Sequence, residues 1–175
     1  TATALNDIGT PPETPHTKVP VTVYDSLGNS YEIEIKFSKC FVDDTDPDNP
    51  VTSWYWEVGN ASNINSESGE GDTGPASGYI VFDKNGQLID NEKNAAYAEY
   101  NIKPSITLIP DASATGAGPF DVQLDFTQLT MYSGNNSASA TNVDGYSTGS
   151  LVTFSIDSNG IITGIYSNGQ QRPLA

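Results

Sequence analysis

The chain has 175 residues, 36% of them hydrophobic and 10% aromatic, enough apolar material for one sizeable core or two small ones. Lys and Arg total 7 against 22 Asp and Glu, a formal net charge of −15, and a surface of that sign repels phosphate backbones and anionic headgroups, so neither nucleic acid nor a membrane is an expected partner. No apolar run approaches the ~20 residues of a membrane helix, the first residues lack the pattern of a signal peptide, and the single cysteine, Cys40, excludes an intrachain disulfide, a thiolate metal cluster and a CxxC redox pair.

Residues 1–20 hold Pro11, Pro12, Pro15 and Pro20, a density that blocks helix and central strand alike and predicts an extended lead-in. From Val21 the apolar period becomes two. Val21 and Val23 alternate with Thr22; Tyr31, Ile33, Ile35 and Phe37 alternate with Glu32, Glu34 and Lys36. Between these runs lies Asp25-Ser26-Leu27-Gly28-Asn29, where Asp can accept from its own backbone two residues on and Gly takes positive φ without strain, so a hairpin is predicted. The same pattern of apolar residue, Asp, two variable positions and Gly recurs at 82–86 and 156–160. Trp54, Trp56 and Val58 form a further alternating run, as do Phe120, Val122, Leu124 and Phe126 against Asp121, Gln123 and Asp125, and both read as core faces of strands. Val152, Phe154 and Ile156 lead into the third turn, and Ile161 to Tyr166 lead to Asn168-Gly169, a pair suited to a type I′ turn. Helix is expected only as one short turn within Asp90 to Tyr100, and loops at Asp43 to Pro50, Gly59 to Ser77 and Asp111 to Gly118, the second being the best candidate for disorder.

No constellation compels chemistry. Asp44, Asp46 and Asp48 have the spacing that opens an EF-hand loop, but Asn49 stands at the glycine position, Pro50 follows and Tyr55 replaces the terminal Glu, so an acidic surface loop is expected and no metal is assigned. The sole histidine, His16, has no second imidazole beside it and reads as a solvated residue. Trp54, Tyr55 and Trp56 could stack on a sugar, yet alternation puts both tryptophans on one face, the usual mark of core. Cys40 follows Lys39, which would lower the thiol pKa at an exposed site; a small buried hydrophobe is the plainer expectation. The sequons at Asn60 and Asn135 are too short to carry meaning. No catalytic residue and no cofactor is expected.

Two stretches resemble the bacterial flagellar hook protein family. One is Val23-Tyr24-Asp25-Ser26-Leu27-Gly28-Asn29, similar to that family's entry into its outer domain; the more specific block runs through Leu124 to Gly134, Ala140 to Tyr146, Gly149 to Leu151 and Ile156 to Gln170. The resemblance implies an all-β chain of two β-rich domains. Residues 19–129 would be an inserted outer barrel or sandwich domain, and residues 1–18 with 130–175 would be part of an inner domain built from both chain ends. Hook proteins end in helical segments, and neither end here has heptads, so an excised, monomeric fragment is expected. The resemblance further implies a non-enzymatic subunit of the curved tube that transmits motor torque to the filament. It would be exported to the cell exterior or periplasm without a cleaved signal, with other copies of itself, rod proteins and hook-filament junction proteins as partners. In spirochaete members a cysteine is joined to a lysine of the next subunit by a lysinoalanine cross-link, a role that would fall to Cys40. The competing readings are another axial flagellar protein of the rod or hook-associated kind, a carbohydrate-binding or adhesin β-sandwich if Trp54 and Trp56 are exposed and coplanar, and a glycosidase if two carboxylates converge in a cleft.

Overall fold

A computed structural model of the protein describes residues 10–59, 64–68, 75–91, 93–94, 97–98, 100–132 and 137–174. The chain folds as antiparallel β-structure, as the alternation requires. Strands β1 (Thr17–Tyr24), β2 (Ser30–Asp43), β3 (Val51–Gly59) and β5 (Ser77–Phe82) form one sheet in the order β1-β2-β3-β5. Strands β4 (Ile64–Ser68), β6 (Ser105–Pro110) and β7 (Phe120–Gln123) form a second, and β8 (Leu151–Ile156), β9 (Ile162–Tyr166) and β10 (Gln171–Pro173) a third. Pro20, which has no N–H to give a ladder, is accommodated because β1 lies at a sheet edge.

The main core lies between the first two sheets. Val19, Val23, Tyr31, Ile33, Ile35 and Phe37 point from β1 and β2 toward Ile106 and Leu108 of β6, and Trp56, Val58, Ile80 and Phe82 continue the same face across β3 and β5. Each fully buried aliphatic side chain here contributes roughly 1.5–3 kcal/mol. Phe126 fixes the aromatic centre, with ring centroids 5.7 Å from Phe37 and 5.4 Å from Trp56. The two sheets are separate ladders, so this part of the molecule is a two-sheet packing rather than a closed barrel. The expected core face Phe120, Val122, Leu124, Phe126 is observed: Leu124 and Phe126 lie past the end of β7, yet their N–H groups still donate to Pro104 O (2.9 Å) and Ile102 O (3.0 Å).

A smaller cluster covers the other face of the first sheet, where Val81, Tyr97 and Tyr100 pack with Phe41, Val51 and Tyr79. Phe41 reaches it through a bulge. Lys39 pairs with Trp54 and Phe41 with Ser53, so Cys40 is the extra residue. Were Cys40 paired in a regular ladder, Phe41 would share the face of Phe37; leaving one residue out of the pairing reverses the parity of the strand beyond it.

Three expectations are corrected. An α-helical turn, Ala112–Thr115 (α1), lies inside the predicted 111–118 loop; Asp111 caps it by accepting from Ser113 N–H (3.0 Å), and the turn closes on Gly116 at φ 71°. The short turn expected in 90–100 is present as an i→i+3 turn, Tyr97 N–H donating to Asn94 O, while Ala95 and Ala96 lie outside the described residues. The predicted loop from Gly59 to Ser77 contains β4, whose Ile64 is buried and whose partner β6 supplies the ladder; residues 60–63 and 69–74 lie outside the described set. The turn at Asn168-Gly169 is not type I′, because no non-glycine residue among those described has positive φ.

Candidate assembly surface

The four hairpin turns share one geometry. In each, the first residue's carbonyl accepts from a glycine three residues on, and its N–H donates to the carbonyl four residues on: Asp25 with Gly28 and Asn29, Asp83 with Gly86 and Gln87, Asp157 with Gly160 and Ile161, Tyr166 with Gly169 and Gln170. The closing glycines have φ between 73° and 83°, the left-handed residue that follows a type I turn in three-residue hairpin loops. Three of the four place Asp first, and its carboxylate accepts two backbone N–H groups: Leu27 and Asn29 for Asp25, Asn85 and Gln87 for Asp83, Asn159 and Ile161 for Asp157. Turn-making accounts for these acids.

Asp25 is the most enclosed of them. Its Oδ2 also accepts from Asn29 Nδ2 and from the buried Tyr31 hydroxyl, both at 2.8 Å. Burial pushes the carboxyl up, but these four hydrogen bonds outweigh it and hold the pKa below its ordinary value. The same direction holds for Asp43, Asp46, Asp83, Asp111 and Asp125, each accepting from its own turn. A glycosidase acid needs the opposite shift. In the 44–50 loop, Asp46 is engaged by Asp48 N–H (3.1 Å) and Asn49 Nδ2 (3.1 Å), and no cluster of three or more metal-ligating side chains occurs among the described residues.

The aromatic triplet is not a platform. Trp56 is 3% exposed within the core, while half-buried Trp54 leans on the same side, its Nε1–H donating to Met131 Sδ (3.4 Å) and its ring meeting His16 edge-on at 5.7 Å. His16 is exposed as expected but not idle: its Nδ1 accepts from Lys39 N–H (3.1 Å), next to the bulge. Cys40 is half-buried, its thiol donates to Ser38 O (3.4 Å), and burial pushes its pKa up, so Lys39 does not activate it.

Two faces are open for contact. On the outer side of β1–β3, Lys18 pairs with Glu34 (3.1 Å) and Lys36 with Glu57 (3.2 Å), a charged ladder beside Glu32. The third sheet is the reverse. Its β8 has every side chain exposed, and a register shift at Val152 puts Leu151 (51% exposed), Phe154 (60%) and Ile156 (61%) on the face shared by Ile162 and Gly164, with Leu174 beside them. Thr153, Ser155 and Thr163 take the opposite face. Sequence reasoning read β8 as a strand but missed that its apolar row is uncovered; alternation reports a face, not what lies on it.

A family model for the flagellar basal body protein FlaE D2 domain matches residues 2–146. The chain belongs to that family. This FlaE D2 chain is also similar to flagellar hook proteins FlgE: it is 30% identical over 155 residues to that of Escherichia coli (strain K12), covering 88% of this chain and 32% of the relative. For Treponema pallidum (strain Nichols) the values are 30% over 178 residues, 87% and 36%, and for Salmonella typhimurium 29% over 157 residues, 88% and 32%. The chain spans about a third of the length of the curated relatives it matches. The stretches that suggested the hook family, at 23–29 and 124–170, are the first turn of the structure and the passage from the main core into the third sheet.

Proposed function

We propose that this chain is part of a structural subunit of the bacterial flagellar hook, which assembles with copies of itself into the curved flexible tube that carries motor torque to the filament. The observation that carries the reading is the family match over 2–146, joined to hook protein relatives from several bacteria over most of the chain. The role is mechanical and needs no turnover. Residues 19–129 are the inserted outer domain; residues 1–18 and 130–175 are part of the inner one, with adjoining rod and hook-filament junction proteins at the ends of the tube. A separate C-terminal part is supported by the third sheet, which draws its strands from 151–173 alone, whereas Thr17 and Lys18 pair with Phe37 and Lys36 in the first sheet. In the Lys18, Glu34, Lys36, Glu57 ladder the exposed Lys18–Glu34 pair suits subunits that slide, because exposed ion pairs are worth only ~0–1 kcal/mol and exchange partners with little penalty.

Cys40 is the residue proposed for an inter-subunit lysinoalanine link. Base removes its Hα, sulfur leaves as sulfide, and a lysine ε-amine of the next subunit adds to the dehydroalanine. Its half-exposed place at a bulge supports this.

The test is a chimaera in which this chain replaces the matching segment of the Escherichia coli hook protein. Hooks seen by electron microscopy, with swimming restored, are the expected result; a chimaera that is exported but never polymerises would overturn the assignment. Intact mass of that polymer with and without Cys40→Ala decides the cross-link, which requires covalent multimers only when Cys40 is present.

A further inference from the structure

The sequence holds three Asn-Gly pairs, at 85–86, 159–160 and 168–169, each closing one of the shared turns. Asn-Gly is the pair most open to self-modification, because glycine has no side chain to shield its amide nitrogen from the neighbouring carboxamide. Sequence alone ranks the three equally. The structure does not.

Asn168 is held at both ends: its Nδ2 donates to Ser147 O (2.6 Å) and its Oδ1 accepts from Gln170 N–H (3.1 Å). Asn85 donates to Asp83 Oδ2 (3.3 Å), and the Gly86 beside it is buried, with its carbonyl accepting from Met131 N–H (2.8 Å). An added Cβ at Gly86 would lie 1.8 Å from Met131 O, so this turn has no room to rearrange. Asn159 differs from both. Its side chain makes no hydrogen bond to any described residue, and Asn159 and Gly160 are exposed; the Gly160 Cβ position has nothing within 4 Å, as is also true of Gly169, so these two turns differ in the hold on the carboxamide.

We infer that Asn159 is a site of spontaneous deamidation in the folded protein, ahead of Asn85 and Asn168. The Gly160 amide nitrogen loses its proton to solvent base and attacks Asn159 Cγ. The Cγ–Nδ2 bond breaks, ammonia leaves, and a succinimide forms; water then opens the ring at either carbonyl to give aspartate or isoaspartate. The proton lost is the one Gly160 donates to Asp157 O (3.1 Å), so the reaction opens the β8–β9 turn. The product adds a negative charge there, and isoaspartate also lengthens the backbone of a loop whose closure depends on the Asp157 N–H to Ile161 O bond (3.1 Å). The modification therefore acts on the hairpin that carries Phe154 and Ile156.

The experiment is ageing of the purified chain at mildly alkaline pH, with site-by-site amide loss read by peptide mapping and isoaspartate by methyltransferase labelling, alongside the same chain in denaturing urea. Two side-chain hydrogen bonds retard a carboxamide by on the order of tenfold. Amide loss at Asn159 about tenfold faster than at Asn168 in the folded chain, with the gap closing in urea, is the expected result. Equal rates in the folded chain, a lead at Asn85 or Asn168, or an Asn159 lead that persists in urea would each overturn it.

Discussion

Asp25 is the single residue on which the first hairpin most depends. Its carboxylate accepts four hydrogen bonds, from Leu27 N–H, Asn29 N–H, Asn29 Nδ2 and the Tyr31 hydroxyl, in a place closed to water. Asp25→Asn keeps the volume but turns one acceptor oxygen into a donor that faces the Asn29 and Tyr31 donors, and should cost about 1–3 kcal/mol in urea unfolding; Asp25→Ala strands four donors and should cost more. The pH dependence has a definite sign. The folded carboxyl titrates below the ordinary value of 3.8, so the folded state binds its proton less readily than the unfolded chain does. Its stabilisation is complete above that ordinary value and is lost as pH falls through the folded pKa. Acid unfolding followed by circular dichroism should be shallower in Asp25→Asn than in the parent, and identical acid limbs would show that this carboxylate is not responsible.

At the scale of elements, the bulge at Cys40 decides which core Phe41 joins. Cys40→Ala keeps the inserted residue and should cost no more than about 1 kcal/mol, since the thiol gives up only a weak hydrogen bond to Ser38 O. Inserting an alanine after Cys40 is a different change. Held in the ladder, the added residue takes the place opposite Ser53, turns Phe41 onto the face of Phe37, and removes it from Tyr97 and Tyr100. Its expected cost is several times that of the substitution, read as a large fall in the unfolding midpoint; equal costs would mean the bulge does not set register. Neither bulge was legible in the sequence, because a bulge is a mismatch between two strands and a single strand's pattern does not contain it. Turns were legible where the residue has a local reason to be there: Asp at the first position and Gly at the fourth predicted three of four loops. The fourth was misread as type I′ because Asn-Gly fits either turn; the strands close on Tyr166 and Gln170, which leaves three residues in the loop rather than the two a type I′ hairpin has. Strand β4 escaped notice because Asn, Ser and Glu surround one apolar residue, Ile64, and its pairing is supplied by the distant β6, Ile64 lying opposite Pro110.

At the scale of the molecule, composition and period announced an all-β chain, but the relation between the third sheet and the rest has no signature in composition. It is set by the segment 145–150, which runs between two turns. On one side Thr148 Oγ1 donates to Leu27 O (2.7 Å), and the Gly28 Cβ position lies 2.4 Å from that hydroxyl, so the first hairpin turn abuts this segment with no space between. Gly145 packs as closely on Tyr24. On the other side Asn168 Nδ2 donates to Ser147 O (2.6 Å), Ser150 N–H to Ser167 Oγ (3.0 Å), and Arg172 to the Tyr146 hydroxyl while also lying over its ring. The block of sequence that most resembles the hook family thus includes the strap that couples the two parts. Thr148→Val keeps the shape and deletes the one hydroxyl bonded to the Leu27 carbonyl. Because that bond is exposed, global stability should fall by only about 0.5–1.5 kcal/mol. Orientation should respond more. In weakly aligned solution, residual dipolar couplings from the core sheets and from β8–β10 should fit one alignment tensor in the parent chain and two in Thr148→Val. A shared tensor in both would place the coupling in the Asn168 and Ser150 contacts instead, and Asn168→Ala would then be the variant that separates the two parts.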